Sequence, residues 1–461
     1  MSSFIVEPAS RPLSGQIDVP GDKSLGHRAL LFSLLARQTI RIRGLGGGAD
    51  NGRTARAITQ LGATVSRDGD AVVVQGTGIR GMTAPSAAID CGNSGTTIRM
   101  LCGLLAGAPF RSELFGDESL SKRPMRRVID PLRAMGALIT GAGSSHGGSS
   151  SGGASADVVP PLAIGPIAER LRGTDHQLSI ASAQVKTALI LAGLQAEGVT
   201  RIGEPGPSRD HTERLLAAMG APITARGREV TVYPDDWARA GSQLELPGGT
   251  IEVPGDPSSS AFLVAAALVA GAETVVCRGV CVNPTRTGFL DVLARMGATI
   301  DLENQRDVGG EPVGDLVIRG AAPSLRAVEI HGDVVVRAID EVPILAAVAA
   351  RAKGVTVVRD AEELRVKESD RIATTVAMLR AFGVEAEARP DGLVVQGAPD
   401  RALSPGRVDS ASDHRIAMAG SILALAASGP SRIDDVGNVA TSFPSFVSVL
   451  SSLGVTLREE S

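Results

Sequence analysis

The chain has 461 residues, which exceeds the usual size of a single hydrophobic core and favours two domains. Its net charge is −4 and only 2% of its residues are aromatic, so the composition does not indicate a nucleic-acid-binding protein. No apolar run reaches membrane-spanning length and the first residues lack a signal-peptide pattern, so we expect a cytoplasmic protein without a membrane partner.

The first predicted helix begins in a polar stretch, VPGDKSLGHRALL at 19–31, and a partial copy, VPGDPSSSAFLVAAAL, returns at 253–268. A second pattern occurs six times after helix-like stretches: LGATV at 61, MGALI at 135, MGAPI at 219, MGATI at 296, FGVEA at 382 and LGVTL at 453. Each glycine reads as a helix C-cap that leads into a strand. We therefore predict an α/β protein of six units, each with the order strand, helix, strand, helix, strand, strand.

The two VPGD copies divide the six units into three and three, so we place the crossovers between two domains there. The low-complexity stretch GAGSSHGGSSSGGASAD at 141–157 interrupts the second unit. Its Gly and Ser content predicts a surface loop.

Each unit also has an apolar helix that starts on a polar cluster: GDKSLGHR at 21, CGNSGTTIR at 91, SAQVK at 182, PGDPSSSA at 254, AIDEVP at 338 and SASDHRIAM at 410. Helix N-termini favour anions, and the planar Arg side chain suits phosphate and carboxylate. The nearby cations are Lys23, Arg28, Arg99, Lys122, Arg123, Lys186, Arg209, Lys367, Arg371 and Arg415, and the nearby acids are Asp50, Asp340, Glu368 and Asp413. This pattern predicts sites for two multiply charged small anions.

A structural interpretation of the same residues stays open. Ser24, Ser182, Ser258 and Asp340 are of residue types that commonly cap helices. The spacing of Glu368 and Arg371 also fits an ion pair that supports a surface helix. The four cysteines have no metal-ligand spacing, so we expect neither a zinc site nor disulfides.

Taken together, the motifs resemble the 5-enolpyruvylshikimate-3-phosphate synthase (3-phosphoshikimate 1-carboxyvinyltransferase) family over nearly the whole chain. They are PGDKSLGHRALL, GNSGTTIR, LSKRPMRRVIDPLRAMGA, SAQVKTALILAGL, PSRDHTERLL, LRVKESDRI, SDHRIAM and TSFP. The SAQVK and RDHTE variants are similar to one bacterial subgroup. The resemblance implies the enolpyruvyl transferase fold, an inside-out α/β fold of two similar domains with three βαβαββ repeats each. The first domain would span 21–252 and the second 1–20 plus 253–461, with the active site in the cleft between them.

The resemblance also implies the reaction. The enolpyruvyl group of phosphoenolpyruvate passes to the 5-hydroxyl of shikimate 3-phosphate, and phosphate leaves by addition and elimination without a metal or organic cofactor. This is a step of the shikimate pathway to chorismate and the aromatic amino acids. The family further implies a monomer whose partners are its two small-molecule substrates, and Gly95 implies sensitivity to the inhibitor glyphosate.

Matching positions carry the family's residue roles to this chain. The catalytic residues would be Asp340 as base at the 5-hydroxyl, Glu368 as proton donor to the methylene, and Lys23 in contact with both substrates. Shikimate 3-phosphate would be bound by Lys23, Ser24, Arg28, Ser182, Ala183, Gln184, Arg209, Asp340 and Lys367. Phosphoenolpyruvate would be bound by Lys23, Asn93, Gly95, Arg123, Gln184, Arg371 and Arg415. Many members have Lys where this chain has Thr441, so the departure of phosphate would depend more on Lys23 and Arg415.

Two alternatives remain at this stage. The sister carboxyvinyltransferase that acts on UDP-N-acetylglucosamine has the same repeated fold, but it opens with a Lys-Asn pair and uses a loop Cys. Neither Cys91 nor Cys102 lies in a matching motif. A non-catalytic anion-binding repeat protein would use the same helix starts without needing Asp340 and Glu368 to act.

Overall fold

A computed structural model describes residues 2–143, 157–235, 244–320 and 324–460. The chain divides into two compact units. Unit 1 comprises Met1–Asp22, Gly46–Ala49 and Pro254–Ser461, and unit 2 comprises Lys23–Leu45 and Asp50–Val253. The changes of unit after Asp22 and after Val253 fall in the two VPGD copies. Most of the predicted Gly/Ser loop, residues 144–156, lies outside the described residues.

The strands of the described residues are short, and most follow the predicted pattern of repeats. In chain order they are β1 Ser3–Val6, β2 Leu13–Asp18, β3 Thr39–Arg43, β4 Thr64–Asp68, β5 Ala71–Gln75, β6 Ile89–Asp90, β7 Ser112–Phe115, β8 Leu138–Ala142, β9 Val159–Gly165, β10 Asp175–Gln177, β11 Thr200–Gly203, β12 Ile223–Arg226, β13 Glu229–Val232, β14 Thr250–Glu252, β15 Ala272–Cys281, β16 Asp301–Val308, β17 Glu311–Gly320, β18 Glu329–Ile330, β19 Gly354–Val358, β20 Glu385–Arg389, β21 Gly392–Gly397, β22 Arg407–Asp409, β23 Ser431–Asp434 and β24 Leu457–Glu460.

The helices alternate with these strands. In chain order they are α1 Lys23–Leu35, α2 Ala49–Gln60, α3 Gly95–Leu105, α4 Arg126–Ala134, α5 Ala183–Gly193, α6 His211–Ala218, α7 Pro257–Ala270, α8 Gly288–Arg295, α9 Asp333–Ala338, α10 Val342–Ala349, α11 Arg371–Ala381, α12 His414–Leu423 and α13 Phe446–Ser452. Short 3-10 helices lie at Leu120–Lys122, Pro247–Gly249, Ile339–Glu341, Glu362–Val366, Ala424–Ala426 and Gly437–Thr441.

Within the described ranges, the strands form six four-stranded sheets of one topology, which confirms the six predicted repeats. In each sheet the two strands at one edge run parallel and the other two pairings are antiparallel, as in the orders β6-β7-β9-β8 and β2-β15-β17-β16. In four of these sheets the parallel pair is joined through the first helix of the repeat, because parallel strands need a long crossover connection. In five of them the second helix leads to a hairpin that completes the sheet.

Three of the sheets take a strand from elsewhere in the chain. β14 pairs parallel with β3, and β2 pairs parallel with β15. β1 lies between β23 and β24 and pairs antiparallel with both. Each of these three sheets is therefore completed by a strand that is far from its other strands in the sequence.

The six predicted C-cap glycines all adopt a left-handed backbone, with φ between 74° at Gly220 and 104° at Gly62. Gly62 shows the hydrogen bonds that require this conformation. Its N–H donates to Thr59 O at 3.1 Å, and the next N–H, of Ala63, donates to Ile58 O at 3.0 Å. This is a Schellman ending, which glycine adopts at low cost because it has no Cβ.

The first helix of each repeat is apolar on all sides and forms the interior of its unit. In α7 every residue from Pro257 to Val269 is buried. In unit 1 the helices α7, α10 and α12 contact one another. In unit 2 the helices α3 and α5 approach so closely that a Cβ at Gly103 would lie 2.1 Å from Ala188 O. The polar clusters begin these buried helices, so their charges lie at the ends of the cores.

Candidate active site

The start of α1 in unit 2 brings five of the predicted residues together. Lys23 Nζ lies 3.1 Å from Asp50 Oδ2. The buried Arg28 donates from Nη1 to Ser24 O at 2.9 Å, and Arg209 Nη1 donates to Ser24 Oγ at 3.1 Å. Basic side chains from α1 and from the loop before α6 thus converge on one helix N-terminus, which itself favours an anion.

Arg28 also joins α1 to the two helices beside it. Its Nε donates to Thr212 Oγ1 at 2.7 Å, and its Nη2 donates to Thr187 Oγ1 at 3.2 Å. Thr187 in turn donates to Ala183 O at 2.6 Å. Ser182 caps α5 by accepting from Val185 N at 3.5 Å. The segment Ser182–Gln184 is therefore held beside Arg28 through Thr187, a residue that the sequence analysis did not identify.

The starts of α3 and α5 are joined by amide and guanidinium groups. Gln184 Oε1 accepts from Arg99 Nη1 at 2.7 Å, and Gln184 Nε2 donates to Thr96 Oγ1 at 2.9 Å. Asn93 Oδ1 accepts from Arg123 Nη2 at 2.6 Å. Gly95 is the first residue of α3. The predicted residues Asn93, Gly95, Arg123 and Gln184 thus share one region of unit 2.

Lys186 differs from the other cations of unit 2, because the protein itself neutralises it. Its Nζ lies 2.7 Å from Glu204 Oε2 and 2.7 Å from Glu213 Oε1, and all three side chains are buried. Burial alone would lower the pKa of Lys186, but Glu213 and Glu204 outweigh burial and raise it. Lys186 therefore joins α5 to α6 through these ion pairs, and its place among the anion-binding cations stays a prediction.

In unit 1, Arg371 is the centre of an acidic cluster. Its Nε lies 2.8 Å from Asp413 Oδ2 and its Nη1 lies 3.3 Å from Asp340 Oδ1, and it also contacts the Glu368 carboxylate. Its side chain is 1% exposed, so the Glu368 contact is not the surface pair that the spacing alone allowed. Burial would lower the pKa of Arg371, but Asp413, Glu368 and Asp340 raise it.

Two further cations lie beside Asp340. Lys367 Nζ is 4.0 Å from Asp340 Oδ1, and Arg415 Nη2 is 3.9 Å from Asp340 Oδ2. Arg415 Nη1 also donates to Asp340 O at 2.7 Å. Burial lowers the pKa of Lys367 although Asp340 and Glu363 oppose this. Three cations, Lys367, Arg371 and Arg415, thus lie within 4.0 Å of the Asp340 carboxylate.

Asp413 organises the start of α12. Its Oδ1 accepts from Arg415 N at 2.9 Å, so the carboxylate caps the helix that carries Arg415. Burial would raise the pKa of Asp413, but Arg371 outweighs burial and lowers it. The buried carboxylate therefore holds both predicted arginines of this cluster in place.

The predicted caps are only partly confirmed. Ser182 caps α5, but α7 is capped by Asp256, whose Oδ1 accepts from Ser258 N at 2.8 Å. Ser24 lies inside α1, and Asp340 lies in the 3-10 helix Ile339–Glu341. Thr441 Oγ1 donates to Asn438 O at 2.6 Å within its own 3-10 helix. The sequence analysis did not identify Glu341 or Arg286, which lie in a buried network described below.

Among the described residues, no group of three or more His, Cys, Asp or Glu side chains is arranged to hold a metal ion. The four cysteines are buried free thiols, so the structure contains no disulfide among them. No helix in the described parts of the chain is long and apolar enough to cross a membrane.

The six repeats, with polar clusters at the starts of their buried helices, define the enolpyruvyl transferase fold. The family model of EPSP synthase (3-phosphoshikimate 1-carboxyvinyltransferase) matches residues 8–450. The 3-phosphoshikimate 1-carboxyvinyltransferase of Geobacter sulfurreducens is 46% identical over 99% of this chain and 100% of that protein. That of Alkalilimnicola ehrlichii is 47% identical over 98% of this chain and 96% of that protein.

A solved structure is also similar. The EPSP synthase of Acinetobacter baumannii superposes with a TM-score of 0.85 and 38% sequence identity, covering 100% of both chains. The chain therefore belongs to the EPSP synthase family. It is a transferase of the shikimate pathway, and the sister transferase is not favoured by any of these similarities.

Proposed function

We propose that the chain transfers the enolpyruvyl group of phosphoenolpyruvate to the 5-hydroxyl of shikimate 3-phosphate through the residues described above. The observation that carries the assignment of roles is the contact of one buried guanidinium, that of Arg371, with both Asp340 and Glu368. Addition to the enol needs a base at the hydroxyl and a proton donor at carbon 3, and this contact brings two carboxyl groups close together.

In this proposal shikimate 3-phosphate is bound by Lys23, Ser24, Arg28, Ser182, Ala183, Gln184, Arg209, Asp340 and Lys367. The contacts of Ser24 with Arg28 and Arg209 support the phosphate-binding part of this set, because paired guanidinium groups suit a phosphate. Phosphoenolpyruvate is bound by Lys23, Asn93, Gly95, Arg123, Gln184, Arg371 and Arg415. Its two anionic groups require several cations, which these side chains supply.

The reaction then proceeds by addition and elimination. Asp340 takes the proton of the 5-hydroxyl, the oxygen attacks carbon 2 of phosphoenolpyruvate, and Glu368 gives a proton to carbon 3. In the free protein Glu368 contacts Arg371. An anionic substrate on Arg371 competes with Glu368 for the guanidinium. In the elimination, the Glu368 carboxylate takes a proton back from carbon 3 of the adduct, the double bond of the enolpyruvyl group forms, and phosphate leaves with the electron pair of the broken C–O bond. Asp340 gives up its proton to the departing phosphate, whose negative charge Lys23 and Arg415 stabilise.

We also propose that glyphosate inhibits the enzyme, that the enzyme is a monomer and that it is located in the cytoplasm. These proposals rest on the family resemblance and, for glyphosate, on the absence of a side chain at Gly95. Sedimentation at micromolar concentration tests the monomer, and inhibition at a fixed concentration of phosphoenolpyruvate tests glyphosate.

The first experiment follows phosphate and the new vinyl protons by NMR in a mixture of the two substrates. We expect stoichiometric phosphate and enolpyruvyl ether, and no phosphate without shikimate 3-phosphate. Asp340→Asn and Glu368→Gln should each lower kcat by about 10²- to 10⁴-fold, the usual contribution of general acid–base catalysis. Glu362→Gln, at an exposed position of the neighbouring 3-10 helix, is the matched control and should retain turnover. Near-normal kcat in either site variant would contradict the assigned roles.

A further inference from the structure

We propose that Ser258, Glu341 and Arg286 are positioning residues that fix the guanidinium of Arg415 for phosphoenolpyruvate. This inference rests on the proposed function. None of the three has a role in the reaction as proposed above, and all lie in unit 1 together with Arg415. We refer to these three residues as the Ser258 relay.

The hydroxyl of Ser258 is the junction of the relay. It accepts from Arg286 Nη2 at 3.0 Å and from Arg415 Nη2 at 3.3 Å, and it donates to Glu341 Oε1 at 2.5 Å. The same Glu341 oxygen accepts from Arg415 Nη1 at 3.4 Å. A hydroxyl has one donor and two acceptor positions, and all three are used here. Ser258 and Glu341, which are hydrogen-bonded to each other, therefore hold the two terminal nitrogens of Arg415.

The relay is buried, which makes its geometry costly to change. Ser258 is 4% exposed, Glu341 is 1% exposed and Arg286 is 2% exposed. Charges at such depth persist because each has a partner, and a removed partner leaves a buried charge uncompensated. Water does not compete with hydrogen bonds at these positions, so they restrict Arg415 more strongly than surface contacts would.

The other end of the relay contacts both copies of VPGD. Asp22 and Asp256 end the two copies, and Arg286 contacts both, through Nη1 at 2.7 Å from Asp22 Oδ2 and Nη2 at 3.2 Å from Asp256 Oδ1. The two copies also bond each other reciprocally. Asp22 N donates to Pro254 O and Asp256 N donates to Pro20 O, both at 2.8 Å. The guanidinium of Arg286 thus binds both copies and, through its hydrogen bond to Ser258, helps to position Arg415.

The test compares Ser258→Ala with Ser260→Ala in steady-state kinetics of the full chain. Ser260 lies in the same buried helix, and its hydroxyl donates to Pro257 O at 2.8 Å within that helix. We expect Ser258→Ala to raise KM for phosphoenolpyruvate by about five- to tenfold, because a hydrogen bond to a charged group is lost. The KM for shikimate 3-phosphate should stay within about twofold, and Ser260→Ala should change neither constant appreciably. If Ser258→Ala lowered the melting temperature but did not raise the KM for phosphoenolpyruvate more than the KM for shikimate 3-phosphate, the relay would be overturned.

A double variant, Ser258→Ala with Glu341→Gln, tests whether the residues act as one unit. If they hold Arg415 together, the KM for phosphoenolpyruvate of the double variant should not exceed that of the worse single variant by more than about twofold. If the rise in this KM in the double variant equalled the product of the rises in the two single variants, the result would contradict the relay. A wild-type chain that forms no product would overturn the proposed function as well, whereas normal turnover with an unchanged KM in Ser258→Ala would overturn only the relay.

Discussion

Gly95 shows how little space one residue of the candidate site leaves for a side chain. It begins α3, and a Cβ at this position would lie 3.0 Å from Arg99 Nη1 and 3.2 Å from Arg123 Nη1. Both distances are tighter than ordinary van der Waals contact, so a methyl group would displace guanidinium groups from their present positions. Arg123 is one of the residues proposed to bind phosphoenolpyruvate.

Gly95→Ala should therefore weaken inhibition by glyphosate and raise the KM for phosphoenolpyruvate. Overpacking typically costs about 1–3 kcal/mol, which corresponds to about a 5- to 150-fold rise in the half-inhibitory concentration. The measurement is a glyphosate titration with phosphoenolpyruvate held at its KM for each variant. Gly52→Ala is the control, because a Cβ at Gly52 meets no atom within 4 Å. Unchanged inhibition of Gly95→Ala would refute the proposed crowding.

Single residues of the candidate site could be predicted from motifs, but their partners could not. Asp340, Glu368 and Arg371 stand in recognisable stretches, and the structure brings them into contact. The role of Lys186 depends on Glu204 and Glu213, which come from β11–α6 rather than from its own helix. Ion pairs between distant segments leave no periodic signal in the sequence. The sequence therefore did not indicate that two carboxylates of the folded chain neutralise Lys186.

The helix endings are the best-predicted elements of the fold. All six glycines have the positive φ that the repeated pattern required, because a C-cap is a local feature that short sequence patterns record. The helix starts were predicted less well. At α7 the cap is Asp256 rather than Ser258, since an N-cap depends on where the chain enters the helix.

Gly220 and Gly52 provide a paired test of these helix rules. A Cβ at either position meets no atom within 4 Å, but Gly220 has φ +74° and Gly52 lies inside α2. Gly220→Ala should destabilise by about 1–2 kcal/mol, the cost of a left-handed residue with a Cβ. Gly52→Ala should stabilise by up to about 1 kcal/mol because alanine favours helix. Calorimetry should show shifts of opposite sign, each about 2–4 °C per kcal/mol. A lowered melting temperature in both variants would contradict this explanation.

The repeated α/β architecture was predictable for the molecule as a whole, whereas the order of strands within its sheets was not. Each repeat has the same local pattern of strands and helices, but β14, β2 and β1 reach their sheets across long stretches of chain. Such pairings depend on which edge the rest of the fold leaves open. No local pattern of hydrophobic residues specifies a partner strand.

β1 is the clearest case, because it completes the sixth repeat from the other end of the chain. It lies between β23 and β24, where Phe4 pairs with Ile433 on one side and Glu459 on the other. Phe4 is 2% exposed, and its ring centroid lies 6.2 Å from that of Phe446 in α13. A central strand of this kind stabilises both neighbours, so its packing should matter to the whole sheet.

Phe4→Ala should therefore destabilise the protein by about 3–5 kcal/mol, as expected when a buried aromatic side chain is truncated. Ile5→Ala, at the adjacent half-buried position on the opposite face of β1, should cost about 1 kcal/mol. Thermal unfolding of the two variants measures the difference, and hydrogen exchange identifies where it arises. Loss of protection in Phe4→Ala should appear in β23 and β24, because these strands lose a firmly packed neighbour. Equal destabilisation by the two substitutions would show that β1 contributes through its backbone hydrogen bonds rather than through its buried face.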